Sequence, residues 1–461
     1  MTTLGPRLVI AGARSGAGKT TVATGLMAAL CRRGCQVASA KIGPDFIDPG
    51  YHAAATGRVA RNLDPWMSGI ELMAPLAARA GAGAQVLVVE GVMGLFDGAA
   101  DGSASSTAEV AKRLCAPVVL VIDAASTGQS VAALAHGFRS FDPAVRVEGV
   151  ILNLVGSDSH ESMLRAALTD RGVAVYGVLR RDDAVGWRSR HLGLQPVAED
   201  PVGVATTLDR LAAAISTSCD LDGLVALARS APLLPTTPPP EPRRVVGGDA
   251  TPRVAVASGP AFSFSYPDNL EALAAAGAEV VSFDPLVDEA LPARTAGVLA
   301  GGGFPELYAE GLAANTPMLE SLAAHHRRGG VIWAECGGLL WLTRNLDGAR
   351  MAGVLDADAT MGDRLTLGYR SATTKRVSPL GPAGTEVRGH EFHYSSTDPA
   401  GDALVLTGRD GTATGGFATD DLLASYVHLH LGASPGIAEA FVSAVARCAR
   451  STPRSEGDGE R

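Results

Sequence analysis

Short apolar runs recur along this chain, each closed by glycine, proline or a small polar residue. Residues 8–11, 37–42, 86–90, 118–123, 149–153 and 173–179 are the first six. They are too continuous for strands with one wet face and too short for helices, so they predict strands buried on both sides. Helical stretches alternate with them, the first running from 19 to about 30. Strand and helix in alternation predict a doubly wound, mostly parallel α/β sheet. A proline-rich run over 231–250 interrupts the pattern and is expected to be a semi-rigid linker. Beyond it the alternation resumes, with strands at 253–258, 279–283, 297–300 and 331–334. A helix to about 276 and another from 339 are expected between and after them. The predicted organisation is therefore an α/β domain over 1–230, the linker, a second α/β domain over 251–448, and a tail over 449–461. The tail carries so little apolar surface that it is expected to be disordered.

Charge and cysteine content narrow the classes. The 461 residues are 46% hydrophobic with a net charge of −9, which argues against a nucleic-acid binder. The six cysteines are scattered and fit no disulfide framework. No apolar run is long enough for a bilayer, and the first strand begins too early for a signal peptide, so a cytoplasmic, soluble protein is expected.

Chemistry-bearing residues cluster where predicted strands end. After the first strand stand Ala13, Arg14, Ser15, Gly16, Ala17, Gly18, Lys19, Thr20 and Thr21. This is a P-loop: small residues let amides from Ser15 to Thr21 close around phosphates, Lys19 reaches the outer phosphates, and the Thr20 hydroxyl can ligate Mg²⁺. After the second strand, 41–50 holds two prolines and two glycines and is expected to be a loop presenting Asp45 and Asp48. Glu90 ends the third strand, a place for a second Mg²⁺ contact, and Asp97 follows in a glycine-rich turn. Asn153 ends another strand and could face a nucleotide base. In the second half, Cys336 lies where a strand turns into a helix, the position of an exposed nucleophile. The glycines 301–303 could donate an amide to an oxyanion there. A thiol nucleophile needs a histidine base, and His428 and His430 are the candidates. His390, Glu391 and His393 fit a strand with two differently used faces better than a metal site.

Five motifs in order give a family resemblance. They are 41–49 (Lys-Ile-Gly-Pro-Asp-Phe-Ile-Asp-Pro), 90–98, 301–306, 335–338 (Glu-Cys-Gly-Gly) and 389–394. With these, all but the tail resembles the cobyrinic acid/hydrogenobyrinic acid a,c-diamide synthases of cobalamin biosynthesis. The resemblance implies a first domain like dethiobiotin synthetase and the partitioning ATPases, and a second like class I glutamine amidotransferases. It implies that Cys336 attacks L-glutamine with His428 as base, and that Gly303 and the Gly337 amide form the oxyanion hole. It implies that the freed ammonia amidates a corrinoid carboxylate activated by ATP as an acyl phosphate. Thr20, Asp45 and Glu90 are then the Mg²⁺ candidates, and Asp48 and Asp97 position phosphate or substrate. Three departures stand out. Ala334 occupies a usual glycine position before the nucleophile, His430 stands where many class I members carry a glutamate after the base, and Arg14 replaces the signature lysine of partitioning ATPases. The cobalt-free substrate, hydrogenobyrinate, is preferred over cobyrinate. The alternatives are nickel-sirohydrochlorin as substrate, or a P-loop nucleotide switch with a degenerate second domain. Whether the chain is a monomer or a homo-oligomer is left open.

Overall fold

The computed structural model describes residues 2–99, 105–181, 189–190, 193–245 and 251–451. The chain divides into two compact units, Met1–Pro239 and Pro240–Arg461.

The first unit is built on a seven-stranded sheet, parallel throughout. Its order is Arg61–Leu63, Val37–Ile42, Val86–Glu90, Arg7–Gly12, Val118–Asp123, Val147–Val155 and Ala174–Arg180. Each central strand feeds two cores. Leu8, Ile10, Val86 and Val88 pack on one face, while Val9, Ala11, Leu87 and Val89 pack on the other. Alternate side chains point to opposite faces, so a strand covered on both sides needs an unbroken apolar run. Helix Lys19–Arg32 covers one face together with Pro201–Ser218.

Two segments differ from expectation. The stretch from Ile47 is not loop but helix, Ile47–Thr56. Pro49 and Gly50 fall in its first turn, where amides have no intrahelical acceptor and the proline φ is already helical. The proline-rich run is only partly a connector. Leu234–Thr236 pairs antiparallel with Thr2–Leu4, and Pro235 is tolerated because this is a two-stranded edge ribbon. The buried Arg7 guanidinium ties this corner together by donating to the carbonyls of Leu4, Gly5, Leu114 and Pro232. Farther on, the Val245 amide donates to Ala276 O (2.8 Å) inside the second unit; 246–250 lie outside the described residues.

The second unit has two sheets. The first runs Glu279–Phe283, Arg253–Ala257, Thr295–Ala300, Val331–Glu335, Leu422–Ser425 and Phe417–Thr419, parallel except for the last strand. The second is built around a long antiparallel hairpin, Asp358–Thr374 with Glu386–Asp398, flanked by Leu404–Gly408 and Gly411–Gly415. The chain passes from the first sheet to the second within three residues. Ser425 ends a parallel strand, and His428 already pairs with His390 in the hairpin sheet. The final helix, Pro435–Ser451, continues past the expected start of the tail; residues after 451 lie outside those described. Among the described residues no helix is long and apolar enough to cross a membrane.

Candidate active sites

In the first unit the P-loop follows the central strand Arg7–Gly12. Gly18 adopts φ 93°, and a Cβ there would fall 2.1 Å from the Asn153 amide nitrogen. Only glycine fits that approach. Asn153 spends this amide on Ala17 O (3.1 Å), so it braces the loop. Lys19 Nζ donates to Met93 O (2.6 Å), and Leu95 N–H donates to Gly12 O (2.9 Å). The turn after Glu90 thus lies across the P-loop. Asp97 shapes that turn by accepting from Gly94 N–H (2.9 Å). Arg14 reaches Asp123 at 2.5 Å.

Below the loop is a buried charged cluster. Thr20 Oγ1 donates to Glu90 Oε1 (2.7 Å) and lies 3.3 Å from Asp48 Oδ2. Lys41 Nζ sits between the acids, 2.6 Å from Asp48 and 2.8 Å from Glu90. His52 Nε2 meets the other Glu90 oxygen at 2.6 Å. Burial alone would favour neutral Lys41, but the facing carboxylates outweigh it and raise its pKa. Two acids compete for this one ammonium. Burial would raise the Glu90 pKa, yet Lys41 and His52 hold it below the usual carboxylate range. Asp48 has fewer donors, and burial pushes it up to about 8 against the pull of Lys41. Asp45 stands beside this network. Its Oδ1 accepts from the amides of Ile47 (2.7 Å) and Asp48 (3.3 Å), fixing the start of the helix that carries Asp48. Mg²⁺ takes oxygen donors and uses few protein side chains beside phosphate and water. The Thr20 hydroxyl with the Glu90 and Asp48 carboxylates fits that demand.

In the second unit Cys336 follows strand Val331–Glu335. Its backbone is at φ 48°, ψ −101°, a strained conformation for a residue with a Cβ. The elbow is held by amides: Cys336 N–H to Ser425 O (2.8 Å) and Gly338 N–H to Gly301 O (2.9 Å). Gly302 N–H is spent on Phe264 O (3.1 Å). Gly303 and Gly337 lie together, since a Cβ on Gly337 would come within 3.1 Å of Gly303 N. The His428 ring packs on Gly302, where a Cβ would meet Cε1 at 2.4 Å. Burial alone would depress the His428 pKa, but the thiolate and hydrogen bond of Cys336 raise it, with Glu335 adding to them, to about 10. His390 stacks on it, ring centroids 4.9 Å apart, and is held well below the usual range by burial and by the His428 charge. Asn269 clamps the following segment, donating to Leu429 O (2.7 Å) and accepting from Leu431 N–H (2.8 Å). His430 does not join His428. Its Nδ1 accepts from Gly432 N–H (3.2 Å), and its Nε2 lies 3.8 Å from Asp268. Nearby, a 350 Å³ cavity is lined in part by Arg370, Glu391, His393, Ser425 and Tyr426. Arg370 Nε donates to Glu391 (2.7 Å), and His393 stacks on Tyr426. No group of three or more acids, histidines and cysteines among the described residues is arranged to hold a metal.

Lys41, His52, Glu335 and Arg370 were given no role from the sequence. Lys41 and Glu335 carry a usable signal, since each lies near a strand end, in the 41–49 and 335–338 motifs. His52 and Arg370 carried none, because helix packing and hairpin register bring them in.

Residues 8–194 match the CobQ/CobB/MinD/ParA nucleotide binding domain, and 253–436 match the CobB/CobQ-like glutamine amidotransferase domain. A hydrogenobyrinate a,c-diamide synthase of Streptomyces coelicolor is 51% identical over 95% of this chain and 97% of its own length. One from Thermobifida fusca is 45% identical over 95% and 97%. A cobyrinate a,c-diamide synthase of Synechococcus is 40% identical over 95% and 98%. The chain belongs to the hydrogenobyrinate and cobyrinate a,c-diamide synthase family, with a nucleotide-binding domain and a glutamine amidotransferase domain in one carbon–nitrogen ligase.

Proposed function

We propose that this chain uses ATP and glutamine to convert the a- and c-carboxylates of hydrogenobyrinate into amides. The carrying observation is the strained Cys336 elbow under His428, in a unit separate from the P-loop and its acidic cluster. Cys336 Sγ attacks the side-chain carbonyl of glutamine, with the Gly303 and Gly337 amides facing the oxygen that becomes negative. His428 passes a proton to the leaving ammonia. Water then releases glutamate from the thioester. Arg370 and Glu391 offer opposite charges to the α-carboxylate and α-amino group of the amino acid.

In the first unit the amides of Ser15 to Thr21 and the Lys19 ammonium receive the ATP phosphates. A substrate carboxylate oxygen attacks the γ-phosphorus and ADP leaves. Ammonia then attacks the acyl carbon and phosphate leaves. Thr20 and Glu90, with Asp48, would hold Mg²⁺, which when bound neutralises phosphate charge. Asp45 holds the helix that presents Asp48, and Asp97 holds the turn that carries Met93 over Lys19. The metal-free substrate is supported by eight of the relatives: five named for hydrogenobyrinate are 44–51% identical, and three named for cobyrinate 40–43%.

The test gives the enzyme hydrogenobyrinate or cobyrinate with ATP and glutamine, and follows product mass, ADP and glutamate. Hydrogenobyrinate a,c-diamide should form with one ADP and one glutamate per amide, at a higher kcat/KM than with cobyrinate. Preference for cobyrinate would reverse the substrate assignment. Nucleotide hydrolysis without glutamate release would leave a nucleotide switch instead.

A further inference from the structure

We infer that Glu335, the residue immediately before the nucleophile, positions His428 and replaces the acid that many class I members carry two residues after the base. The inference rests on the amidotransferase roles of Cys336 and His428. Successive residues of an extended strand point to opposite faces, so Glu335 and Cys336 would not ordinarily meet one ring. The turn in the Cys336 backbone, φ 48° and ψ −101°, breaks that alternation and lets both side chains address His428. The Glu335 carboxylate is anchored on the base's own strand. Its Oε1 accepts from Leu429 N–H (3.1 Å), and its Oε2 lies 3.7 Å from His428 Nδ1. That spacing exceeds a hydrogen bond, and such catalytic contacts tighten when substrate binds.

Charge balance points the same way. Glu335 is 5% exposed, and among the described residues its ion-pair partner is His428. A buried carboxylate needs a compensating cation, and imidazolium supplies it. With Nδ1 facing Glu335, Nε2 is the nitrogen left for Cys336. The other titratable groups around His428 are occupied or neutral. Glu391 is paired with Arg370, His390 is held neutral by burial, and burial likewise lowers His393 to about 4. His430 is engaged by Gly432, Asp268 and the edge of Tyr266.

Glutaminase kinetics of the full chain across pH test this with Glu335→Gln, Glu335→Asp and His430→Gln. Glutamine at 335 keeps an acceptor for Leu429 N–H and loses only the charge. The kcat should fall on the order of 10–100-fold, as for groups that orient a reacting ligand, with the glutamine KM little changed. The alkaline limb should move to lower pH, because the carboxylate no longer raises the imidazole pKa. Aspartate should restore the limb and part of kcat, and His430→Gln should leave the limb in place. Wild-type kcat and pH profile in Glu335→Gln would overturn the inference, as would a displaced limb in His430→Gln. If the glutamine variant does not fold, the shorter Glu335→Asp decides: a lowered kcat with the limb retained supports the role, and an unchanged kcat or a displaced limb overturns it. Loss of glutaminase in the wild type, or its survival in Cys336→Ala, would instead strike the roles of Cys336 and His428.

Discussion

Both units keep their chemistry at the carboxyl end of a buried parallel strand that finishes on a glutamate. Glu90 ends Val86–Glu90 and Glu335 ends Val331–Glu335. Both are buried, and each faces a histidine, His52 at 2.6 Å and His428 at 3.7 Å. What neutralises them differs. Glu90 is met by the Lys41 ammonium, the Thr20 hydroxyl and His52, so both oxygens are occupied. Glu335 is met by one backbone amide and an ionisable ring. A permanent cation makes a buried acid a fixed support for a phosphate site. In the role inferred for Glu335, an imidazole that can give up its proton makes the same acid a partner in proton transfer. Position on the fold is shared; the counter-charge sets the role.

The comparison breaks first if the two sites are not chemically separate. Cys336→Ala should remove glutamine-dependent amidation by several orders of magnitude, as loss of a covalent nucleophile does, while amidation with added ammonium salts continues. Lys19→Ala should lower both activities on the order of 10³-fold, because carboxylate activation precedes either nitrogen source. Paired assays with glutamine and with ammonium chloride check this. Ammonia-dependent turnover lost in a folded Cys336→Ala, or kept in Lys19→Ala, would merge or misassign the sites.

Much of this arrangement was legible in the chain, and for stated reasons. A strand buried on both faces must be continuously apolar, so Val118–Asp123 and Val331–Glu335 announced themselves. The P-loop and the Cys336 elbow are local turns whose residue types are dictated by backbone geometry. The hairpin strand Asp358–Thr374 was not foreseen, because its exposed half alternates weakly and is rich in polar residues. The helix at Ile47 was hidden by Pro49, whose disruptive effect vanishes in a first turn. Partners across the fold were invisible for a simpler reason. Nothing local in His52 or Glu335 says that Glu90 or His428 will face it, since those contacts span 38 and 93 residues of chain and depend on sheet order.

A sharper form of the comparison concerns Lys41. Lys41→Met keeps the length of the side chain and removes the cation between Asp48 and Glu90. Breaking a buried pair strands an uncompensated charge and costs about 3–5 kcal/mol. Thermal or urea unfolding should therefore show the first unit destabilised and the second unchanged, with Glu90→Gln in the same background recovering part of the loss. An unshifted transition in Lys41→Met would mean that water or rearranged side chains already neutralise the cluster. The support role of Glu90 would then fail.

The smallest effect distinguishes the two acids of the first unit by pH. The Asp48 pKa is raised in the fold to about 8, burial being the main cause. In the unfolded chain it returns to about 3.9. Between those values the folded state holds one more proton than the unfolded state, so stability is full below pH 4 and declines as pH rises through 8. The slope is at most about 1.4 kcal/mol per pH unit. Glu90 is shifted the other way, so its contribution is present above its unfolded pKa and fades only in acid. In the nucleotide-free enzyme the first unit should lose stability from pH 6 to 8, and Asp48→Asn should flatten that decline. A decline unchanged in Asp48→Asn would place the extra proton elsewhere. Lys41 would then balance both carboxylates at once, and its position midway between them, 2.6 and 2.8 Å away, would make the cluster uniformly charged before any phosphate arrives.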